Sequence, residues 1–234
     1  MVVDVSGHLN HGGQPFRHDD GAADPRVTRA LAAYLAGQGS EQAALTALSA
    51  ARLLVPVVAV LADGSAPASG DKNSEMVLPT LIGQDGRPAV LAFTSLAALT
   101  RWRPNARPVP AEADRVWRAA VADSCAVVID VAGPVPLAVE GARLTALAAG
   151  QPVPAAHEDA DVRAQVEAAV AAEPAICGFS LAPSSADGTD LAVRLSLTTR
   201  DWQPVVDRAA NSIAGRLAGR LRRGIEFSVA SAAG

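Results

Sequence analysis

Between Met76 and Phe93 the chain reads Met-Val-Leu-Pro-Thr-Leu-Ile-Gly-Gln-Asp-Gly-Arg-Pro-Ala-Val-Leu-Ala-Phe, and Thr94-Ser95 and a helical pattern to Trp102 follow without a break. Two aliphatic runs flank Gly83-Gln-Asp-Gly-Arg87, and an Asp-Gly pair between such runs is a strong hairpin signal, because glycine supplies the positive φ that tight turns need. The segment therefore predicts a strand at 76–82, an antiparallel strand at 88–93, and a helix from Leu96 to Trp102. Thr94 or Ser95 caps that helix and Arg103-Pro104 stops it. This order commits the chain to a sheet with a helix beside it, and it contains no nucleophile elbow, metal cluster or phosphate loop.

The rest of the chain extends the same alternation. Asp24-Pro25 starts a helix with Val27, Leu31, Tyr34 and Leu35 in one stripe; Gly37 and Gly39 end it, and Ser40 caps a second helix. Arg52 to Leu61 is a continuous aliphatic run, as in a strand covered on both faces, and Pro56 suggests an edge or a bulge. Residues 62–74 read as a loop. Arg107-Pro-Val-Pro110 reads as a crossing into a helix at 111–122, with Val116, Ala120 and Val121 inward beside Trp117. A strand at 126–131, a short strand at 135–139 and a helix at 141–149 follow. Gly150 to Ala156 has the composition of a linker. Beyond it come a helix at 161–172, strands at 175–181 and 191–198, a helix at 203–221 with Val206, Ala210, Ile213, Leu217 and Leu221 in one stripe, and a last strand at 225–229. Leu191, Val193, Leu195 and Leu197 alternate with smaller or polar residues, so one face of that strand is core and the other wet.

Four segments result: a flexible tail at 1–24, an α+β domain at 25–150, a linker at 151–160, and a smaller α+β domain at 161–234. The fold class is α+β, with a mixed, largely antiparallel sheet and flanking helices, followed by a smaller α+β unit.

Composition narrows the function classes. Half the residues are hydrophobic but only four Phe, three Trp and one Tyr are aromatic, so the core is aliphatic. A net charge of −4 opposes general attraction to nucleic acid or to an anionic membrane. The run Leu53–Ala62 is about half the length of a membrane-spanning helix. The N-terminus lacks a basic region leading into a long apolar run, so no targeting segment is read there and the expected compartment is the cytoplasm. Cys125 and Cys177 lie within or beside apolar runs and form no C-x-x-C pair, which predicts buried, structural thiols in a reducing compartment. His8, His11 and His18 are spaced for metal binding, but a flexible segment would lose conformational entropy on coordinating, and neither metal nor cofactor is expected.

The stretches Arg52-Leu-Leu-Val-Pro-Val, Met76-Val-Leu-Pro-Thr-Leu, Asp85-Gly-Arg-Pro-Ala-Val-Leu-Ala-Phe-Thr-Ser and Ala126-Val-Val-Ile-Asp-Val-Ala-Gly-Pro resemble the family named for the enhanced serine sensitivity protein SseB, in its actinobacterial form. The resemblance covers roughly residues 26–150 well and 160–230 more loosely. It implies an α+β domain with a mixed sheet and a smaller C-terminal domain, brings no established activity with it, and transfers no functional residue.

Three constellations are candidates. The turn residues Asp85 and Arg87, with Asp130 at the end of a strand, are the candidate ligand-binding set, since strand ends often line clefts; turn formation is the better explanation of Asp130, and capping explains Thr94 and Ser95. Arg208, Arg216, Arg220 and Arg223, with Ser212, fall three or four apart on one flank of the last helix and are the candidate partner-binding set, against a plain solvated face. Glu112 and Asp114 do not face each other, and acidic residues suit a helix start. His157 is the one histidine outside the tail and Lys72 sits in a polar loop, so nucleophilic catalysis has little support. The expectation is a non-enzymatic cytoplasmic accessory or protein-interaction protein, with another protein as partner, homo-oligomerisation left open, and neither nucleic acid nor membrane bound. The alternative is a small-ligand or anion-binding domain, or an enzyme of unrecognised type, with a cleft near Asp85, Arg87 and Asp130.

Overall fold

The computed structural model describes residues 16, 19–61, 74–77, 80–83, 86–133, 136–186 and 189–231. By its contacts the chain divides into two compact units, Met1–Thr28 with Ala47–Gln151, and Arg29–Thr46 with Pro152–Gly234. The fold is α+β. The second unit is assembled from two separated stretches of sequence, whereas the linear reading placed residues 25–150 together. Residues 151–160, read as a linker, carry buried Val153 and Asp159. Among the described residues no helix is long and apolar enough to cross a membrane.

Helices α1 (Pro25–Leu35) and α2 (Glu41–Ser49) form where the capping signals placed them. Ser40 Oγ accepts the Ala43 N–H at 3.2 Å. In α1 Val27, Leu31 and Tyr34 are buried, but Leu35 faces out.

The first unit holds β1 (Arg52–Leu61), β2 (Ser74–Val77), β3 (Thr80–Ile82), β4 (Pro88–Ala92), α3 (Leu96–Trp102), β5 (Arg107–Glu112), α4 (Ala113–Ala122), β6 (Ala126–Ile129), β7 (Leu137–Val139) and α5 (Gly141–Ala148). Two sheets result, in the orders β2-β1-β5 and β3-β4-β6-β7. The expected hairpin is present as β3 against β4, with Thr80 opposite Val90 and Ile82 opposite Pro88. Gly86, at φ +79°, donates its N–H to Gly83 O at 2.9 Å within the turn. The strand expected at 76–82 is instead two: Ser74–Val77 pairs with β1 and Thr80–Ile82 pairs with β4.

Arg107–Glu112, expected to be a crossing over its first four residues and the start of a helix over its last two, is a strand paired antiparallel with β1, Pro56 opposite Pro108 and Leu54 opposite Pro110. The pairing works because of parity. Leu54 exchanges both backbone bonds with Phe93, each at 2.8 Å, on the edge of β1 away from β5. Alternate pairs of an antiparallel ladder exchange no bonds, so Leu54–Pro110 and, two residues on, Pro56–Pro108 are the unbonded pairs and all three prolines miss an N–H that this ladder does not use. Around this junction Leu54, Leu91, Phe93, Ala98, Leu99 and Ala106 form a core cluster. Trp102 is half-buried on its rim, 5.5 Å from the Phe93 ring. In α4 Val116, Trp117 and Ala120 are buried as expected, while Val121 is exposed.

In the second unit α6 (Ala160–Val170), β8 (Ile176–Ala182), β9 (Leu191–Leu197), α7 (Gln203–Leu217) and β10 (Ile225–Ser231) follow in order. The sheet runs β10-β9-β8; β8 and β9 are antiparallel, and β10 returns parallel to β9 after α7. Leu191, Val193, Leu195 and Leu197 all point into the core, as their alternation predicts. From α7 the core takes Val205, Val206, Ala209, Ile213 and Leu217, with Ala209 in place of the expected Ala210. Cys125 is buried, but Cys177, expected to be buried, is exposed on edge strand β8.

Candidate functional site

Of the three expected ligand residues, the two that are described, Arg87 and Asp130, do not converge. Asp85 lies outside the described residues. Arg87 is exposed and pairs with Glu140 at 2.8 Å. Asp130 follows Ile129, the residue of β6 that pairs with Ala92, whereas Arg87 precedes Pro88 at the start of β4. Because β4 and β6 run parallel, Arg87 and Asp130 stand at opposite ends of the pair, which separates the residues of the expected cleft. Asp130 is buried at φ +48° and its carboxylate accepts the Thr94 N–H at 2.9 Å and the Thr94 hydroxyl at 2.6 Å. Burial pushes the Asp130 carboxyl above its ordinary value, against the Thr94 hydrogen bonds and the charge of Arg101. Its geometry is that of a clamp between the ends of two strands. Ser95, not Thr94, caps α3, accepting the Ala98 N–H at 3.1 Å.

The four arginines expected to face a partner are each engaged within the second unit. Arg208 forks onto Glu173 with two bonds of 2.8 Å and holds that carboxyl below its ordinary value. Arg216 donates to Gln165 Oε1 at 3.4 Å. Because α7 ends at Leu217, Arg220 and Arg223 lie past its C-terminus in the turn before β10. Arg220 turns inward and donates to Glu41 Oε2 at 3.0 Å and to Asp159 Oδ2 at 2.7 Å. Burial works to lower the pKa of this guanidinium, but the two carboxylates outweigh it and hold the pKa above its ordinary value. Asp159 also caps α6, its Oδ1 accepting the Asp161 and Val162 N–H groups at 2.8 and 3.2 Å.

Around this cluster opens a polar cleft of about 350 Å³, walled by Glu41, His157, Ser184, Asp190, Arg220 and Arg223 among others. All of its walls belong to the second unit. Asp190 stands just before β9; its own N–H binds Gly224 O at 2.9 Å and its Oδ2 accepts the Arg223 N–H at 3.0 Å. Among the described residues its Oδ1 is buried without a hydrogen-bond donor, and Arg223 Nε is 3.9 Å away. Burial pushes the Asp190 carboxyl up, partly offset by the Arg223 N–H and charge. Ser184 Oγ donates to Glu226 Oε2 at 2.9 Å. Among the described residues no group of three or more His, Cys, Asp or Glu is arranged to hold a metal ion. Cleft volumes of this order suit small ligands, and a few fixed polar groups set their orientation.

Reading the sequence missed Glu41, Asp159 and Asp190. Asp159 carried a usable signal, an aspartate just ahead of a helical pattern, which is a capping position. Glu41 is by sequence an acidic residue in a first helical turn, and Asp190 a single acid ahead of a strand, with no local pattern that marks either. Comparison with curated proteins and with solved structures finds no match. The model of the SseB protein N-terminal domain matches residues 27–146, just over half of the chain. On that match the chain belongs to the SseB family.

Proposed function

We propose that this chain is a non-enzymatic cytoplasmic accessory protein that works by binding, and that its working surface is the polar cleft of the second unit. The observation that carries this reading is the state of the cleft walls: Arg220 is locked between two carboxylates while Asp190 Oδ1 is buried beside the opening without a donor. Fixed charges of this kind bind a complementary ligand without first losing side-chain freedom. A protein partner docking on the arginine flank is supported less well, because Arg208, Arg216, Arg220 and Arg223 already hold in-chain partners.

A thermal-shift series on the full chain with 1,4-diaminobutane, succinate, inorganic phosphate and glucose tests this. One of these raises Tm saturably, by about 2.7 kcal/mol of stabilisation at a hundred times its Kd. Silence from all four, with a stoichiometric protein recovered by co-purification from the native host, would replace the cleft by a protein-docking surface.

A further inference from the structure

We propose that the cleft of the second unit binds a small organic ammonium ion, anchored on Asp190 Oδ1. The proposal rests on the reading of that cleft as the working surface, and it names the ligand class. Among the described residues, the titratable groups that line the cleft are Glu41, Asp190, Arg220, Arg223 and His157, and two further carboxylates, Asp159 and Glu226, stand behind Arg220 and Ser184. Carboxylates therefore outnumber guanidinium groups by two only when those second-layer acids are included, and a cavity with low-dielectric walls focuses their field on its contents.

The surplus is not spread evenly. Arg220 contacts both Glu41 and Asp159, and Asp159 is further compensated by the two N–H groups of α6, so that corner is satisfied. Asp190 is different: its side chain is 4 % exposed, one oxygen is held by a backbone N–H, and the other has no donor among the described residues. A buried carboxylate oxygen without a partner is costly, and a charge-assisted hydrogen bond is the strongest remedy. Arg223 is the resident cation, yet its Nε stops 3.9 Å short of that oxygen, and its side chain is 27 % exposed and can be displaced.

The same geometry selects the kind of cation. A divalent metal takes six or more oxygen ligands or a near-ideal octahedron, and one free carboxylate oxygen does not supply them. An ammonium group needs only a few acceptors at hydrogen-bond distance. An anion would meet the acidic surplus and a guanidinium already enclosed by carboxylates.

Calorimetric titration of the full chain with 1,4-diaminobutane decides the matter, with calcium chloride, 1,4-butanediol and succinate as the other arms. Saturable one-to-one binding of the diamine is expected, with none of the diol or succinate, and the affinity falls as sodium chloride is added. Asp190→Asn keeps an acceptor for the Arg223 N–H but removes the charge, and should weaken diamine binding by about tenfold or more. Arg223→Gln keeps the backbone bond and removes the competing cation, so it should tighten diamine binding, whereas a site for anions would weaken. Failure of the diamine, or tighter binding of calcium than of the diamine, overturns the ammonium assignment. If succinate binds instead and Arg223→Gln abolishes it, the cleft reading stands and only the ligand class falls. Silence in every arm removes both.

Discussion

Replacing Arg220 by alanine should destabilise the second unit by about 3 kcal/mol, the lower end of the range for removing one partner of a buried ion pair. Three side chains meet there with little water: Arg220 is 17 % exposed, Glu41 8 % and Asp159 0 %. Deleting the guanidinium removes bonds of 2.7, 3.0 and 3.2 Å and leaves two carboxylates in a confined space. Asp159 keeps the two N–H groups of α6 that it caps, which places the cost at the lower end of the range. Native-state hydrogen exchange on the β9 amides reads this unit alone, since β9 is its central strand. At 1.4 kcal/mol per power of ten, protection should fall by roughly two powers of ten, while the β1 amides of Leu53 and Val55 keep theirs. Arg220→Lys should fall between wild type and alanine, because an ammonium can stand in for Nη2, which alone reaches both acids, but not for the second bond that Nε gives Glu41. A loss of less than about 1 kcal/mol in the alanine variant would place the cluster with ordinary surface pairs and refute the reasoning.

Other consequences are equally open to measurement. Asp130→Ala should cost about 2–3 kcal/mol by chemical denaturation, since it removes two buried hydrogen bonds and leaves a residue with a Cβ at positive φ without a local polar partner. Asp130→Asn should be nearly silent at acid pH, where the wild-type carboxyl is protonated. Burial raises the folded pKa of Asp130, so the stability this group contributes is present below about pH 4 and lost as pH rises through the raised value. The asparagine variant lacks that loss and gains on wild type between acid and neutral pH; parallel curves would contradict the assignment. Gly21→Ala should destabilise the first unit by about 1–3 kcal/mol, because at φ +74° its Cβ would stand 2.8 Å from Leu96 Cβ; an unchanged Tm would show that the segment yields. Trp102→Ala should cost about 2–3 kcal/mol, below the usual figure for a fully buried tryptophan, because the ring is only half-buried with the Arg103 guanidinium 5.9 Å from its centroid. A near-silent result would mark the ring as a contact surface instead.

How far the sequence revealed the structure depended on the range of the interaction. The β3–β4 turn, the Pro25 start of α1 and the Ser40 and Ser95 caps are decided within a few residues, and they were legible. Strand β5 was not, because Pro108 and Pro110 argue against a strand until the bonding parity of β1 is known, and that parity is set by Leu54 pairing with Phe93. The division of 76–82 between two sheets likewise depends on which neighbours are available, not on local propensity. The candidate site was least legible. Arg220 and Glu41 are 179 residues apart, and spacing along a helix says only that arginines share a flank. Where α7 stops then decides that Arg220 turns inward instead of extending that flank. Asp190 Oδ1, with no hydrogen-bond donor among the described residues, is buried by the chain that folds over it.

The most direct test of the central claim is backbone NMR of the full chain during titration with 1,4-diaminobutane. The account predicts saturable shifts concentrated at Ser184, Asp190 and Arg223, with one Kd at all three amides, weakened in Asp190→Asn. Shifts confined to the first unit, or scattered and non-saturating, would contradict it.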